Sequence, residues 1–556
     1  MNEANELSFG PQFNRMTSIE NSNDSHWATS PKAITAVTAL GFASGYFQQF
    51  VFPAIPLTPS GDDVLWLQNG IRILGGRLPY RDYLAFTTPG IDLFYALLIR
   101  IWGARAWIPD LAMAIIGAVI TLLIALISRR VLAGTSALAP PVLFIGFVLP
   151  NSLYATHHWF TMIAALGAVL VLTDGTTTVR AGVAGGLCGV AGLFTQTKAA
   201  ILGAAILAFL FLRKRRRESP RAAWRQGAAF CVSAALVLAA GNAYFIRAAG
   251  LAKFLFWTIV FPVRYFPAGK PYNTVHIYGY GFGSGMGMVH GAGFLFVHAL
   301  VPLIYIALFV QLMRRRIPET KRDAITLIAL VGVALFLAIA PAPSPLRIFT
   351  VAPPALILLV CMAKESRIAN TANVFATALA LALAILAPVR FQMHRHFFLD
   401  TPSGRIAFLE RDRFEEFEWV EAETRPGEAF FGNAPVCFAL GLKNPTPMDY
   451  TTPNDFTRPE LVADVVRDLE KYHVPFMLLL PGEYIPQPDD GATDNTKQFR
   501  EYLYKEYELK RRFATGDEAW VRIPITLTRE DNSSARGSSD RDKAPSETEH
   551  RTSSNP

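Results

Sequence analysis

The chain has 556 residues, of which 51% are hydrophobic and only 17% charged, with a formal net charge of +8. That balance lies outside the range of ordinary soluble globular domains and calls for lipid as a solvent. The excess of Lys and Arg does not indicate a nucleic-acid partner, because these residues sit in short clusters between apolar runs, the pattern that orients membrane helices.

Residues 1–32 form a polar tail without the basic start and short apolar core of a cleaved signal peptide, so insertion is expected to rely on the first membrane helix. From residue 33 to residue 389, apolar runs of spanning length recur, each roughly 20 residues at helical rise. The expected spans are Ala33–Leu57, Trp107–Ser128, Val131–Pro150, Trp159–Thr173, Ala181–Thr195, Ala199–Leu212, Gly227–Ile246, Gly291–Met313, Ala324–Ala340, Ile348–Met362 and Val374–Val389, about eleven in all. The apolar stretch Gly90–Trp102 is short, follows Pro89 and carries Asp92, which suits an interfacial helix. With that stretch left out of the count, Arg129-Arg130, Arg180, the run Arg213 to Arg217, Arg314 to Arg316, and Lys364 with Arg367 all share the cytoplasmic face with the N-terminus, as the positive-inside bias requires. The first outer loop (58–106), Asn151–His158, Arg247–His290, Pro341–Arg347 and everything after residue 389 then lie outside the cytoplasm.

Residues 390–525 change to a soluble composition that alternates helical and strand-like patterns. Pro459–Tyr472 reads as an amphipathic helix and Val474–Leu480 as a buried strand, so a small extracytoplasmic α/β lobe is expected. Residues 526–556 are rich in Ser, Asp, Arg and Glu with almost no apolar content, and are expected to be disordered. Cys188, Cys231 and Cys361 lie in apolar runs and Cys437 stands alone in the lobe, so no disulfide framework is available.

The first outer loop is the most informative segment. Val64, Leu67, Ile71 and Leu74 recur at three- and four-residue spacing, which predicts a helix lying with one face in the membrane and ending at Gly75-Gly76. Asp62 and Asp63 occupy its first turn. With Ser60 as a cap they would serve only to stabilise the helix dipole. Alternatively a carboxylate there takes a proton from an acceptor hydroxyl or holds a metal.

The acidic pair after the first span, the amphipathic helix, the stretch from Gly75 through Arg77, Pro79, Arg81 and Asp82 to Tyr83, then Thr88-Pro89-Gly90 and an apolar segment ending Trp102-Gly103, together resemble the first outer loop of GT-C glycosyltransferases. Protein O-mannosyltransferases and lipid A aminoarabinose transferases belong to that superfamily. The resemblance is carried by motif in the first loop only; in architecture it extends through Thr197-Lys198 to the α/β tail. It implies a polytopic α-helical membrane enzyme that transfers a sugar from a polyprenyl-phosphate donor to a hydroxyl of a glycan, lipid or protein, with Asp62 and Asp63 as catalytic base or metal ligand. Two departures stand out. Thr88 replaces a lysine of the aminoarabinose transferases, and their second outer loop supplies an Asp where this chain has Tyr154-Ala155-Thr156-His157-His158-Trp159.

His157 and His158 are suited to a divalent-metal or proton-transfer site with Asp62, or to an interfacial anchor beside Trp159. A divalent metal is the sole cofactor this pattern suggests. Consecutive helical residues point about 100 degrees apart, so at most one of the two faces any cavity. Arg81 and Asp82 either pair with each other or contact substrate. Arg81, Lys198, Arg264, Lys270 and Arg347 are the outer-face cations fitted to a lipid phosphate. Lys198 lies between two apolar helices, where an ammonium needs a buried anion or a path to the interface. The glycine-rich run Tyr278–Gly287 has no strand before it, which excludes a dinucleotide site and leaves loop glycines over a cavity. The rival classes are a transporter or flippase, for which no paired inverted halves are visible, and a lipid-linked glycan polymerase or ligase.

Overall fold

The computed structural model describes residues 28–217, 220–266, 300–311, 319–340, 345–364, 366–486 and 494–524. Lys270, the glycine-rich run, residues 341–344 and the tail from residue 526 lie outside the described residues.

Pro31 starts α1 (Pro31–Tyr46), and Ser30 caps it by accepting the Ala33 N–H. A short hairpin of β1 (Phe50–Val51) and β2 (Ile55–Pro56) follows. Next come α2 (Asp62–Leu74) and α3 (Gly90–Trp102), 13 residues each and too short for the roughly 20 that a span needs. The helix α4 (Trp107–Val131) opens with Asp110 and closes with Arg129 and Arg130, charges that complement its dipole. The bundle continues with α5 (Gly134–Asn151), α6 (His157–Thr173), α7 (Thr178–Phe194), α8 (Gln196–Arg217) and α9 (Pro220–Ala249). It is completed by α10 (Leu300–Gln311), α11 (Glu319–Ile339), α12 (Pro345–Val351), α13 (Pro353–Ala363) and α14 (Arg367–Met393).

Among the described residues six helices, α4, α5, α8, α9, α11 and α14, are long and apolar enough to cross a membrane, with α6, α7, α10 and α13 shorter but apolar. The single span expected over Ile348–Met362 is instead divided into α12 and α13, because Pro353 has no N–H to continue a helix through Ala352. Basic side chains gather at one end of the bundle. There Arg130 pairs with Asp174 at 2.7 Å and Arg213 with Asp323 at 3.0 Å, while Lys321 and Lys364 donate to the Val131 and Ala133 carbonyls at 2.8 and 3.0 Å.

At the other end the chain builds a lobe. Its hairpin, β3 (Phe397–Thr401) with β4 (Gly404–Phe408), precedes α15 (Arg411–Glu423), β5 (Phe430–Gly432), α16 (Ala434–Ala439), α17 (Pro459–Lys471), β6 (Phe476–Leu479), α18 (Lys497–Glu506), β7 (Tyr507–Arg512) and β8 (Glu518–Arg522). The sheet order is β5-β6-β8-β7, and only β5 and β6 run parallel. The helix and strand read from the sequence at 459–472 and 474–480 are α17 and β6. Phe430, Phe417, Phe476 and Leu478 fill one side of the sheet, and Phe431, Met477, Val465 and Phe499 the other.

Gly432 ends β5 with φ +100°, and a Cβ there would come within 2.0 Å of the Leu478 carbonyl oxygen. Gly432→Ala is therefore expected to destabilise the lobe by at least about 1–3 kcal/mol, the range for a strained backbone residue. Thermal unfolding in detergent measures this, and an unchanged midpoint would refute the close approach.

The lobe is fastened to the first outer loop by backbone hydrogen bonds: Thr58 N–H to Ala407 O at 2.8 Å, Leu84 N–H to Pro447 O at 2.9 Å and Ala106 N–H to Ser403 O at 3.0 Å. The Arg77 guanidinium adds two more, to the Asn444 and Thr446 carbonyls at 3.1 and 2.8 Å.

Candidate active site

Five of the residues singled out in the sequence meet where α2, α6 and α8 begin. Gly61 is the N-cap of α2, with φ 77° and ψ −162° and no side-chain cap, so Ser60 does not play the capping role expected of it. A Cβ on Gly61 would lie 2.9 Å from the Tyr154 ring, so a glycine is needed both for the backbone turn and for the second outer loop to close over it. This turn separates the two acids. Asp62 is exposed, whereas Asp63 is buried with its Oδ1 lacking any hydrogen-bond partner. Burial first, and the neighbouring Asp62 second, push the Asp63 carboxyl well above the usual carboxylate range. Asp63 therefore holds its proton more tightly than a free carboxyl does, and Asp62 is the exposed member of the pair.

Lys198, in the first turn of α8, is 3% exposed and its Nζ has no hydrogen-bond partner. Arg347 on α12 lies over the Phe266 ring at 5.8 Å and within electrostatic reach of Lys198, His157, His158 and Asp62. Gln196 anchors this corner, donating from Nε2 to the carbonyls of Phe86 and Thr258, both at 2.9 Å. Thr88 caps the end of α7 from its hydroxyl to Gly192 O at 2.7 Å. The first and third outer loops are thereby tied to the α7–α8 turn that carries Lys198.

His157 and His158 have ring centroids 4.0 Å apart with their planes inclined by 59°, and His157 meets Trp66 edge-on at 5.4 Å. Their Nδ1 atoms are buried without partners. Among the described residues no three of His, Cys, Asp and Glu converge on a point that would hold a metal ion. The pair is therefore a poor fit to a divalent cation, and no chemical step is routed through one below. Arg81 and Asp82 bond each other at 2.7 Å, and Asp82 also accepts the Leu78 N–H at 2.8 Å, the geometry of a loop brace. Arg264 is exposed and stacks on its neighbour Tyr265 at 5.5 Å.

A second set of residues was not singled out in the sequence. Arg72, 6% exposed, forks onto Asp449 of the lobe at 2.7 and 2.8 Å and bonds Asn69 at 3.0 Å. Asn69 and the Tyr83 hydroxyl in turn donate to Asp92 of α3 at 3.2 and 3.1 Å. The available signal was a polar stripe of Gln68, Asn69 and Arg72 at three- and four-residue spacing beside the apolar face of α2, whose arginine must find a carboxylate once buried.

Burial raises the Asp92 carboxyl to about 7, against the lowering effect of those two hydrogen bonds. Its folded value lies above its unfolded one, so the native state holds the proton more tightly. The resulting stability is complete below the unfolded value and lost as pH rises through about 7. The unfolding midpoint is expected to be higher near pH 6 than near pH 8, and Asp92→Asn should flatten that dependence. An identical slope in the variant would remove Asp92 as its source.

No protein-family model matches the chain, and no curated protein does. Solved structures do resemble it. The Archaeoglobus fulgidus oligosaccharyltransferase tethered with an acceptor peptide containing the NVT sequon is 12% identical at a TM-score of 0.46, over 91% of this chain and 76% of that one. The arabinofuranosyltransferase AftD from Mycobacteria is 11% identical at 0.45, over 89% of this chain and 40% of that one, so the chain spans about two fifths of its length. Both likenesses are of chain path, at sequence identities of 11–12%.

Proposed function

We propose that the chain is an integral membrane glycosyltransferase that moves a sugar from a polyprenyl-phosphate donor to an acceptor hydroxyl on the extracytoplasmic face. The observation that carries the reading is Lys198, whose buried Nζ has no hydrogen-bond partner and which lies within electrostatic reach of Arg347, itself within reach of Asp62. An uncompensated charge in so apolar a setting is costly, and an anionic substrate group compensates it. A lipid phosphate entering from the bilayer has the right charge, and the Arg347 fork matches its oxygens. The gathering of basic residues at the opposite end of the bundle supports a cytoplasmic placement of that end and an extracytoplasmic lobe, with the eleven crossings counted from the sequence.

In this reading the acceptor oxygen attacks the anomeric carbon and the C1–O bond to phosphate breaks. The lipid phosphate leaves with the bonding pair, and the hydroxyl proton passes to Asp62. A single displacement inverts the anomeric centre. Phosphate is already a competent leaving group, so Lys198 and Arg347 stabilise its developing charge in place of a general acid.

Lys198→Met tests the donor clamp with two readouts. A charge-assisted hydrogen bond is worth about 1.5–3 kcal/mol, so donor KM should rise roughly ten- to hundredfold. The substrate-free protein should meanwhile unfold at an equal or higher temperature, because a buried unpaired charge has been removed. Unchanged donor KM would end the assignment of Lys198 to the phosphate.

A further inference from the structure

A cavity of about 270 Å³ lies where the lobe meets α2, and neither the base nor the cationic corner accounts for it. It opens at the carboxyl ends of the two parallel strands: Asn433 leaves β5 on one side, and Leu480 and Glu483 leave β6 on the other. Ligands of α/β sheets bind at such strand ends, where the backbones diverge. Gly61 and Leu65 close the far wall, which sets the cavity against the residue that precedes Asp62.

The lining chemistry decides what fits. Asp449, Glu483 and Asp517 present carboxylates, and the one guanidinium, Arg413, is already engaged with Asp517 and Glu416, both at 3.0 Å. Asp449 is itself held by Arg72. No uncommitted positive charge faces the space among the described residues, so phosphate and other anions are disfavoured. Carboxylate oxygens accept hydrogen bonds from hydroxyl groups, whereas the Asn433 amide is already committed, donating to Glu416 and Asp517 and accepting the Val436 N–H. Tyr450 stands between this cavity and Asp62, its ring lying parallel to Phe456 with centroids 6.0 Å apart. A rigid aromatic face with acceptor-rich polar groups around it suits the apolar and hydroxyl-bearing faces of one neutral sugar ring. The volume of about 270 Å³ lies just below the roughly 300–1,000 Å³ usual for drug-sized ligands, which limits the occupant to one ring.

We propose that this cavity is the acceptor subsite, taking an uncharged, hydroxyl-rich glycan residue and presenting one of its hydroxyls to Asp62. The proposal rests on the glycosyl-transfer reading and narrows it: of glycan, lipid or protein acceptors it selects a glycan. The substrates are then sorted by charge on the two sides of Asp62, the anionic donor toward Lys198 and Arg347 and the neutral acceptor toward Asp449, Glu483 and Asp517.

Two measurements on the full chain in nanodiscs test it, each with Glu483→Gln and Tyr450→Leu beside the unaltered protein. Saturation-transfer NMR without donor, using a panel of neutral methyl glycosides and inorganic phosphate, should show saturable binding of at least one glycoside and none of phosphate at this site. Each variant should weaken that binding by about tenfold, Glu483→Gln through one lost acceptor oxygen and Tyr450→Leu through the lost ring face. In steady-state transfer with donor saturating, both variants should raise acceptor KM by about tenfold and leave donor KM unchanged. Transfer that proceeds with acceptor KM unaltered in both variants would overturn the cavity and keep the enzyme. Glycoside binding that the variants weaken, without transfer from any donor, would keep the cavity and overturn the enzyme. Phosphate binding lost in the variants, or no glycoside bound at all, would overturn the acceptor assignment.

Discussion

Asp62→Asn is expected to slow sugar transfer by about 10²–10⁴-fold, the usual contribution of a positioned general base, with little change in either KM. The substitution keeps the size of the side chain and the start of α2 and removes only the capacity to take a proton. Asp63 is the poorer base, because it is buried and because burial and its acidic neighbour raise its carboxyl above the usual range. Asp63→Asn should therefore leave kcat within a few fold, an asymmetry that a purely structural acidic pair would not produce. Transfer of radiolabelled sugar from synthetic polyprenyl-phosphate donors by protein in nanodiscs reads both. Full activity in Asp62→Asn would move the base to His157 or His158, and a larger loss in Asp63→Asn would reverse the assignment within the pair.

Arg72→Met should be the most destabilising of the changes considered, by about 3–5 kcal/mol, because it leaves the Asp449 carboxylate at the junction of loop and lobe with only the Asn444 amide at 3.2 Å. The double variant Arg72→Met/Asp449→Leu should recover most of the loss, since an apolar pair of similar volume often replaces a buried ion pair at little net cost. Unfolding midpoints of the single and double variants measure the coupling. Additive effects would show that the bidentate contact adds nothing beyond its two separate side chains.

The helical membrane class and both helices of the first outer loop were legible in the sequence, and for one reason: apolar periodicity and length are local properties. Gly75 ended α2 where expected, and the 13-residue α3 was recognisable as too short to cross. Lys198 stood out because an ammonium inside an apolar run has few acceptable fates. What escaped was non-local. Nothing near Arg72 in the chain announces that its partner is Asp449, and the cavity at the ends of β5 and β6 exists only once the lobe has docked. The readings of Ser60 and of the Arg81–Asp82 pair turned on backbone geometry. Gly61 adopts a conformation that leaves Ser60 without a capping bond, and the tight turn at Leu78 brings Asp82 into contact with its own neighbour.

The contact between Arg72 and Asp449 joins residues 377 positions apart in the chain. At about 5–20 residues per second a ribosome needs roughly 20–75 s to make the intervening polypeptide. Through that interval Arg72 has been made and the carboxylate that will hold it has not. A chain that stalls before residue 449 leaves a buried guanidinium uncompensated and the cavity without its Asp449, Glu483 and Asp517 walls. Completion of the lobe is therefore the last step that the first loop needs in order to settle.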